Sequence, residues 1–504
     1  MLVIAALVVA LAPAPAPDEL TLDRIFSDPP LEGRGPAALA LAPGGKYVSF
    51  LRGSDKDSDV LDLWGIRLDK RDQLDNGAAA KPELLVSTEQ LLGGKAQKLT
   101  EQERMQLERK RINKRGITTY LWCGDAAKSL VFPLSGDLYD VTLADAAGGA
   151  PKVVRLTHDE NKPELNPTCS KSGSKIAFVK DDAVHVLDVK TGRDVRVAPA
   201  GSSTHHWGFA EFIAEEEMDR HEGMWWSPDE KSLLVFEVDE SPVGKKTRAQ
   251  IFADHTEMFE QRYPAAGEKN ADVDAWLFSV DGGARKKIAV HTTHGRRADG
   301  YLPRAGFLAD GKPWIEWQNR AQTDVTVLAP LSPQYGAADL VDEHDDAWVE
   351  LTNDFIPLKD KKRALWSSER SGRRQLEVVN LETKERTQLT NEPEPVKQIE
   401  AVDEARGVVF YSAWRDRGRQ LRVYSVPLAG GASTELTTEP GWHAVTFDNA
   451  GTYFVDRFSD FGVPAKTTLR EASTGKIVLV LDDDNATGLA KYAKPKPVWL
   501  DLKA

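Results

Sequence analysis

A β-rich pattern that returns about every 44 residues constrains the fold of this chain more than any other feature. Each unit has a turn, an apolar β run, a polar hairpin and a second β run. Aromatic residues mark the same point in successive units, since Trp366, Phe410 and Phe454 follow one another at intervals of 44 residues. Alternating β runs in groups of about 40–45 residues are typical of four-stranded propeller blades.

Two other all-β architectures also repeat, and the sequence disfavours both. A β-solenoid would have shorter repeats, and a row of sandwiches would have clear linkers, which this chain lacks. With 41% apolar residues and 13 tryptophans, the chain can bury a sizeable core. We therefore predict an all-β propeller over residues 18–495, whose length allows seven or eight blades at this period.

The N-terminus and the net charge bear on localisation and partners. The apolar run from Leu2 to Ala12 is followed by alternating Ala and Pro, and it is too short to span a bilayer, which takes about 20 residues. Residues 1–17 are predicted to be a signal peptide, although a basic leading segment is missing, so we expect a periplasmic or secreted protein. No other segment is apolar enough to cross a membrane.

A net charge of −13 argues against nucleic acid as a partner.

The two cysteines fall at equivalent points of successive units. Cys123 lies nine residues before Phe132, and Cys169 lies nine residues before Phe178. Equivalent positions on stacked sheets are about 10 Å apart, whereas a disulfide needs Cα atoms within roughly 7 Å. We therefore predict two free, half-buried thiols. A disulfide or a shared metal is the less favoured alternative, since no Cys-x-x-Cys spacing occurs.

An acidic cluster, Glu215-Glu216-Glu217, stands within the segment from Glu211 to Asp229. Three consecutive carboxylates repel one another, so bringing them together costs free energy unless a cation lies among them. One interpretation is a solvated acidic turn. The other is a receptor for a positively charged group such as an amine.

The wider segment resembles the double-glutamate segment of the dipeptidyl peptidase IV family, in the prolyl oligopeptidase clan. Phe212, the three glutamates and then Trp225-Trp226-Ser227-Pro228 fit that frame. The resemblance implies that Glu216 and Glu217 clamp the free N-terminus of a peptide substrate, that Glu215 is an outer member that matters less, and that the propeller has eight blades.

Two insertions break the repeat. Leu99 to Arg115 has a helical pattern, with Thr100 and Glu103 forming a capping box. It reads either as a solvated helix or, by resemblance to bacterial family members, as an arm whose Arg109 or Arg111 grips the peptide carbonyl. The second insertion, residues 244–270, looks like the extended hairpin that helps subunits of the family meet, which implies a homodimer.

The sequence offers no candidate nucleophile for peptide hydrolysis. No Ser lies in a Gly-x-Ser-x-Gly frame, so we predict no catalytic residue, and we predict no metal site and no cofactor because none of the usual frames occurs. Glycosidase-type paired carboxylates stay open, because sequence does not give their separation in space.

Residues 496–504 resemble the start of the linker to the family's α/β-hydrolase domain. The resemblance therefore implies the substrate-recognition and gating propeller of a serine dipeptidyl aminopeptidase, whose catalytic domain is not in this chain. The alternative is an autonomous propeller that binds or scaffolds other proteins.

Overall fold

A computed structural model describes most of the chain. The described residues are 18–27, 31, 33–54, 56–68, 81–144, 149–159, 161–290, 300–332, 336–482, 489, 491–492 and 497–503. The predicted signal peptide, residues 1–17, lies outside them. Within them, antiparallel β-strands dominate and the helices are short.

Four consecutive sheets form the first half of the molecule. The second and third pair their strands strictly in chain order, and the first and fourth each have one strand off that path. Their strands are β1 (Ala37–Leu41), β2 (Tyr47–Gly53), β3 (Val60–Arg67), β4 (Glu83–Val86) and β5 (Arg115–Gly116); β6 (Leu121–Cys123), β7 (Ser129–Leu134), β8 (Asp137–Thr142) and β9 (Lys152–Arg155); β10 (Leu165–Cys169), β11 (Lys175–Lys180), β12 (Ala183–Asp188) and β13 (Asp194–Arg196); and β14 (His205–Trp207), β15 (Met224–Trp226), β16 (Ser232–Asp239), β17 (Lys245–Ile251), β18 (Thr256–Arg262), β19 (Asp272–Ser279) and β20 (Arg285–Ile288). Strands β17 and β18 pair only with each other, as the predicted hairpin insertion.

The second half continues the same arrangement. Its strands are β21 (Gly300–Tyr301), β22 (Ala305–Phe307), β23 (Pro313–Asn319), β24 (Asp324–Ser332) and β25 (Gly336–His344); β26 (Ile356–Pro357), β27 (Arg363–Ser368), β28 (Gln375–Asn380) and β29 (Arg386–Gln388); β30 (Val396–Asp403), β31 (Val408–Arg415), β32 (Gln420–Pro427) and β33 (Thr434–Glu435); and β34 (Trp442–Phe447), β35 (Tyr453–Asp460), β36 (Val463–Glu471) and β37 (Ile477–Asp482). A single parallel pair, Leu421 with Trp442, joins the last two groups into one sheet.

Four helices interrupt the strands in the described part of the chain: α1 (Leu22–Phe26), α2 (Thr88–Leu91), α3 (Glu101–Arg109) and α4 (Phe212–Glu217). Helix α3 is the predicted arm, and its capping box forms. It ends at Arg109 rather than near Arg115, because Arg111 takes a left-handed conformation with φ of 53°. None of the described helices has the length and apolarity needed to span a membrane.

Apolar side chains between facing sheets hold the ring together. Most core clusters are built mainly from residues of two neighbouring sheets, and one of them contains both Leu63 of β3 and Phe132 of β7. The first sheet packs in turn on the last, because Phe50 of β2 and Leu469 of β36 belong to one cluster. This packing of last on first closes a β-propeller, as predicted. The number of blades stays a prediction, since the last eight strands form one continuous sheet.

The prediction of free thiols was wrong. Cys123 and Cys169 form a disulfide, with their Cα atoms 5.4 Å apart. They end β6 and β10, the first strands of adjacent sheets, and the backbones nearly touch there: a Cβ on Gly124 would lie 2.8 Å from the carbonyl carbon of Ser172. The separation of about 10 Å for stacked sheets does not apply where the first strands of two blades converge.

Candidate functional site

Helix α4 carries the acidic cluster and lies between β14 and β15. Its N-cap residue, Glu211, makes no capping bond with its side chain. Its carboxylate is instead paired with the guanidinium of Arg220, which also donates a hydrogen bond of 2.8 Å to the carbonyl of Glu222. Both charged side chains are buried, and breaking one partner of such a pair costs about 3–5 kcal/mol. The pair therefore closes the loop that holds α4.

The three glutamates point in different directions, because each residue of a helix is rotated about 100° from the one before it. The side chain of Glu215 is 4% exposed and that of Glu216 is 23% exposed, while Glu217 is exposed. Burial raises the pKa of the Glu215 carboxyl, against the opposing effect of Arg109. Glu215 is therefore the most buried of the three, and its lesser role in binding the amine stays a prediction.

The arm brings its basic end to α4. Glu103 fixes α3 to the second sheet, because its carboxylate accepts a hydrogen bond of 2.9 Å from the backbone N–H of Gly136. At the other end of α3, Nη1 of Arg109 lies 2.5 Å from Oε2 of Glu215. Beyond the helix, Nη2 of Arg111 lies 3.6 Å from Oε2 of Glu216. Three of the four predicted site residues, Arg109, Arg111 and Glu216, thus take part in two neighbouring ion pairs between the arm and α4.

Glu217 is the fourth predicted site residue, and it differs from its neighbours. Its side chain is exposed and makes no hydrogen bond or ion pair with any other residue that the structure describes. It lies at the last position of α4, with Met218 as the C-cap. Glu217 is therefore an unpaired carboxylate within the described chain, and the neighbouring Glu216 has only the 3.6 Å contact with Arg111.

Aromatic contacts connect α4 to the arm and to the hairpin. The guanidinium of Arg109 lies 6.0 Å from the ring centre of Phe212, within the range of a cation–π contact. Phe212 in turn packs edge-on against Tyr263, just beyond β18, at 5.2 Å between ring centres. The first residue of α4 is therefore held by both insertions at once.

Lys110 is a site residue that the sequence did not indicate. Its side chain lies at a cavity of about 670 Å³ between α3 and the first strands of several sheets. Burial lowers its pKa, while the charges of Glu215 and Glu222 act in the opposite direction. Tyr120, Trp225, Trp226 and Phe307 add aromatic surface to the same cavity, whereas Glu216 and Glu217 lie outside its lining. Nothing in the charged sequence of the arm sets Lys110 apart from its neighbours.

A profile of the dipeptidyl peptidase IV (DPP IV) N-terminal region matches residues 118–465, which is more than half of the chain. The chain belongs to the dipeptidyl peptidase IV family. Curated DPP IV relatives include a probable dipeptidyl-aminopeptidase B of Emericella nidulans, 26% identical over 65% of this chain and 39% of that protein. A probable dipeptidyl peptidase 4 of Aspergillus flavus is 24% identical over 77% of this chain and 51% of its own length.

A solved structure supports the same fold. The crystal structure of Porphyromonas gingivalis dipeptidyl peptidase 4 superposes with a TM-score of 0.69 at 20% identity, covering 94% of this chain and 63% of that one. The chain spans about two fifths to a half of the length of the Emericella nidulans and Aspergillus flavus relatives.

Among the described residues, no group of three or more His, Cys, Asp and Glu side chains is placed to hold a metal ion.

Proposed function

We propose that this chain is the substrate-recognition and gating propeller of a serine dipeptidyl aminopeptidase, and that it binds the free N-terminus of peptides. The observation that carries the proposal is the pair of accessible carboxylates on α4. Glu217 is exposed and unpaired within the described chain, and Glu216 has only the 3.6 Å contact with Arg111. Adjacent carboxylates without a close cation suit a ligand that brings its own positive charge.

A peptide α-ammonium group fits this arrangement. It carries N–H donors for two carboxylates, and hydrogen bonds to charged groups contribute about 1.5–3 kcal/mol each. The third carboxylate, Glu215, is already neutralised by Arg109, so the site does not need a second cation. Holding the amine at a fixed place sets the distance from the N-terminus to the bond that is cut, which accounts for release of dipeptides.

The two arginines take different roles in this proposal. Arg109 is partly buried and bonded to Glu215, so it positions α4 against the arm. The side chain of Arg111 is 85% exposed, which leaves its donors accessible to a peptide carbonyl. Arg111 is therefore the better candidate for the carbonyl contact, and Arg109 acts through Glu215.

We further propose a hydrolase domain that supplies the nucleophile, a homodimer contact and a location outside the cytoplasm. An α/β-hydrolase domain would supply the nucleophile, as no Gly-x-Ser-x-Gly frame occurs in these 504 residues. The exposed hairpin, with Ile251 and Met258 on its surface, would pair subunits in a homodimer. The Cys123–Cys169 disulfide supports a periplasmic or secreted location, because disulfides persist in oxidising compartments.

The pH dependence of binding tests the proposed function. We expect a Gly-Pro-Ala peptide with a free N-terminus to bind this chain at pH 7 and to weaken progressively towards pH 9.5, since a peptide α-amino group loses its proton near pH 8. Isothermal titration calorimetry measures both affinities. The N-acetylated peptide is the control and should bind weakly at every pH. Equal binding of the two peptides at pH 7 would refute the proposal.

A further inference from the structure

The hairpin of β17 and β18 is a separate two-stranded sheet whose base lies close to α4. Its strands pair with each other and with no other described strand, and most of their side chains are exposed. At the base, the backbone N–H of Tyr263 donates a hydrogen bond of 3.0 Å to the carbonyl of Gly244. Nη1 of Arg262 donates one of 2.6 Å to the carbonyl of Val243. Tyr263 is therefore fixed to the closed base of the hairpin.

From this base, the ring of Tyr263 reaches the start of α4. It meets the ring of Phe212 edge to face, with 5.2 Å between the ring centres, which is a favoured geometry for an aromatic pair. Tyr263 is 36% exposed and Phe212 is half-buried. The guanidinium of Arg109 lies 6.0 Å from the same Phe212 ring. Phe212 is therefore a point at which the hairpin, the arm and α4 meet.

The position of Phe212 bears on the direction of the acidic side chains. Residues four apart lie on one face of a helix, so Phe212 and Glu216 share a face of α4. The N-cap residue, Glu211, makes no capping bond with its side chain. At the other end, Nη1 of Arg304 donates a hydrogen bond of 2.7 Å to the carbonyl of Met218, the C-cap. The packing of Phe212 thus helps to set the rotation of the helix at the end that lacks a side-chain cap.

We propose that Tyr263 is a positioning residue for the amine site: by packing on Phe212 it holds Glu216 and Glu217 in the orientation that binds a peptide α-ammonium group. The inference rests on the proposed function. In this role Tyr263 acts through Phe212 and does not itself contact the peptide. Because coupling between two sites is reciprocal, a peptide bound at α4 should in turn restrain the base of the hairpin.

Substitutions of Tyr263 test the inference. Isothermal titration calorimetry at pH 7 gives the ratio of the dissociation constants of acetylated and free Gly-Pro-Ala for the wild type, Tyr263→Ala and Tyr263→Phe. We expect Tyr263→Ala to lower this ratio about three- to ten-fold, the effect of losing one aromatic pair. Tyr263→Phe keeps the ring and should keep the ratio. A hydroxyl that bound the peptide directly would be lost in both variants.

Phe252→Ala is the matched control, because it removes an aromatic ring from the other end of the same hairpin. Phe252 lies in the turn between β17 and β18, where its ring stacks on that of His255 at 4.4 Å between ring centres. Strands of seven residues place this turn about 23 Å from the base. Phe252→Ala should therefore keep the ratio of the wild type.

A double variant tests whether Tyr263 acts through Phe212. Phe212→Leu removes the ring from α4 and should lower the ratio by itself. Adding Tyr263→Ala to Phe212→Leu should lower it no further, because effects that pass through one contact are not additive. A full additional loss in the double variant would overturn the inference.

Hydrogen–deuterium exchange of the wild type provides a test that needs no variant. Free Gly-Pro-Ala should slow the exchange of the backbone amides around Tyr263, and the acetylated peptide should not. Protection of α4 without protection of the hairpin base would contradict the coupling, whether or not the variants fold.

The outcomes separate the two proposals. If the wild type prefers the free peptide and Tyr263→Ala keeps the full preference, the inference is overturned and the proposed function stands. The same holds if Tyr263→Phe loses as much of the preference as Tyr263→Ala does. If the wild type binds free and acetylated peptides equally, the proposed function fails, and the inference that rests on it fails as well.

Discussion

Nη1 of Arg109 lies 2.5 Å from the carboxylate of Glu215 and thereby joins the helical arm to the acidic helix. The two residues are 106 positions apart in the chain, so the contact fixes the relative positions of two segments that the propeller alone would leave separate. Glu216 and Glu217 follow Glu215 within α4, and we expect this contact to set their orientation.

Glu215→Gln should therefore loosen the arm. The amide keeps the shape of the side chain but leaves the charge of Arg109 without its partner, and breaking a buried pair costs about 3–5 kcal/mol, less where one side chain is partly exposed. Hydrogen–deuterium exchange of the backbone amides of α3 should become faster. Glu382→Gln, an exposed change in a turn of another sheet, is the matched control, and unchanged exchange in α3 would show that the pair does not hold the arm.

The disulfide should contribute measurably to stability. Cys123 and Cys169 close a loop with a sequence separation of 46, and a loop of that size corresponds to about 4 kcal/mol in the chain-entropy description. Cys123→Ala with Cys169→Ala should lower the thermal midpoint, and a reducing agent should lower that of the wild type but not that of the double variant. A thiol assay that detects two free cysteines in the unreduced, denatured protein would contradict the pairing.

Glu316 makes stability depend on pH. Burial raises its pKa to about 7 in the folded chain from an ordinary value of 4.5, so the folded state holds its proton more tightly than the unfolded state does. The corresponding stability is present below pH 4.5 and is lost as the pH rises to 7.

Glu316→Gln has no proton to lose, so it should be more stable than the wild type at pH 8 and similar to it at pH 4.5. The difference at pH 8 should approach about 3 kcal/mol. Urea unfolding at the two pH values measures it, and an equal difference at both would rule out titration of this carboxyl.

The propeller was predictable because buried aromatic residues recur at a constant interval along the sequence. Trp366, Phe410 and Phe454 lie on β27, β31 and β35, the second strands of three successive units, and all three are buried as the 44-residue interval predicts. The start of α3 was predictable for a similar reason, because a capping box uses only residues three positions apart.

The features that sequence reasoning missed depend on contacts between distant segments. The approach of β6 to β10, which brings Cys123 to Cys169, follows from the convergence of blades rather than from the order of residues. The inward orientation of Glu215 depends on how α4 is rotated against the arm. Glu316 is one of 78 acidic residues in the sequence, and only the fold shows that it is buried with one oxygen that has no hydrogen-bond partner among the described residues.

The preference for a free N-terminus, measured on single Glu→Gln variants of α4, tests the central claim most directly. The measured quantity is the ratio of the dissociation constants of acetylated and free Gly-Pro-Ala for the wild type, Glu216→Gln, Glu217→Gln and the control Glu382→Gln. An amide keeps the shape but removes the charge that compensates a desolvated ammonium group, so each α4 variant should reduce the ratio by about 10- to 100-fold, while the control keeps it. An unchanged ratio in both α4 variants would show that Glu216 and Glu217 do not hold the ammonium group.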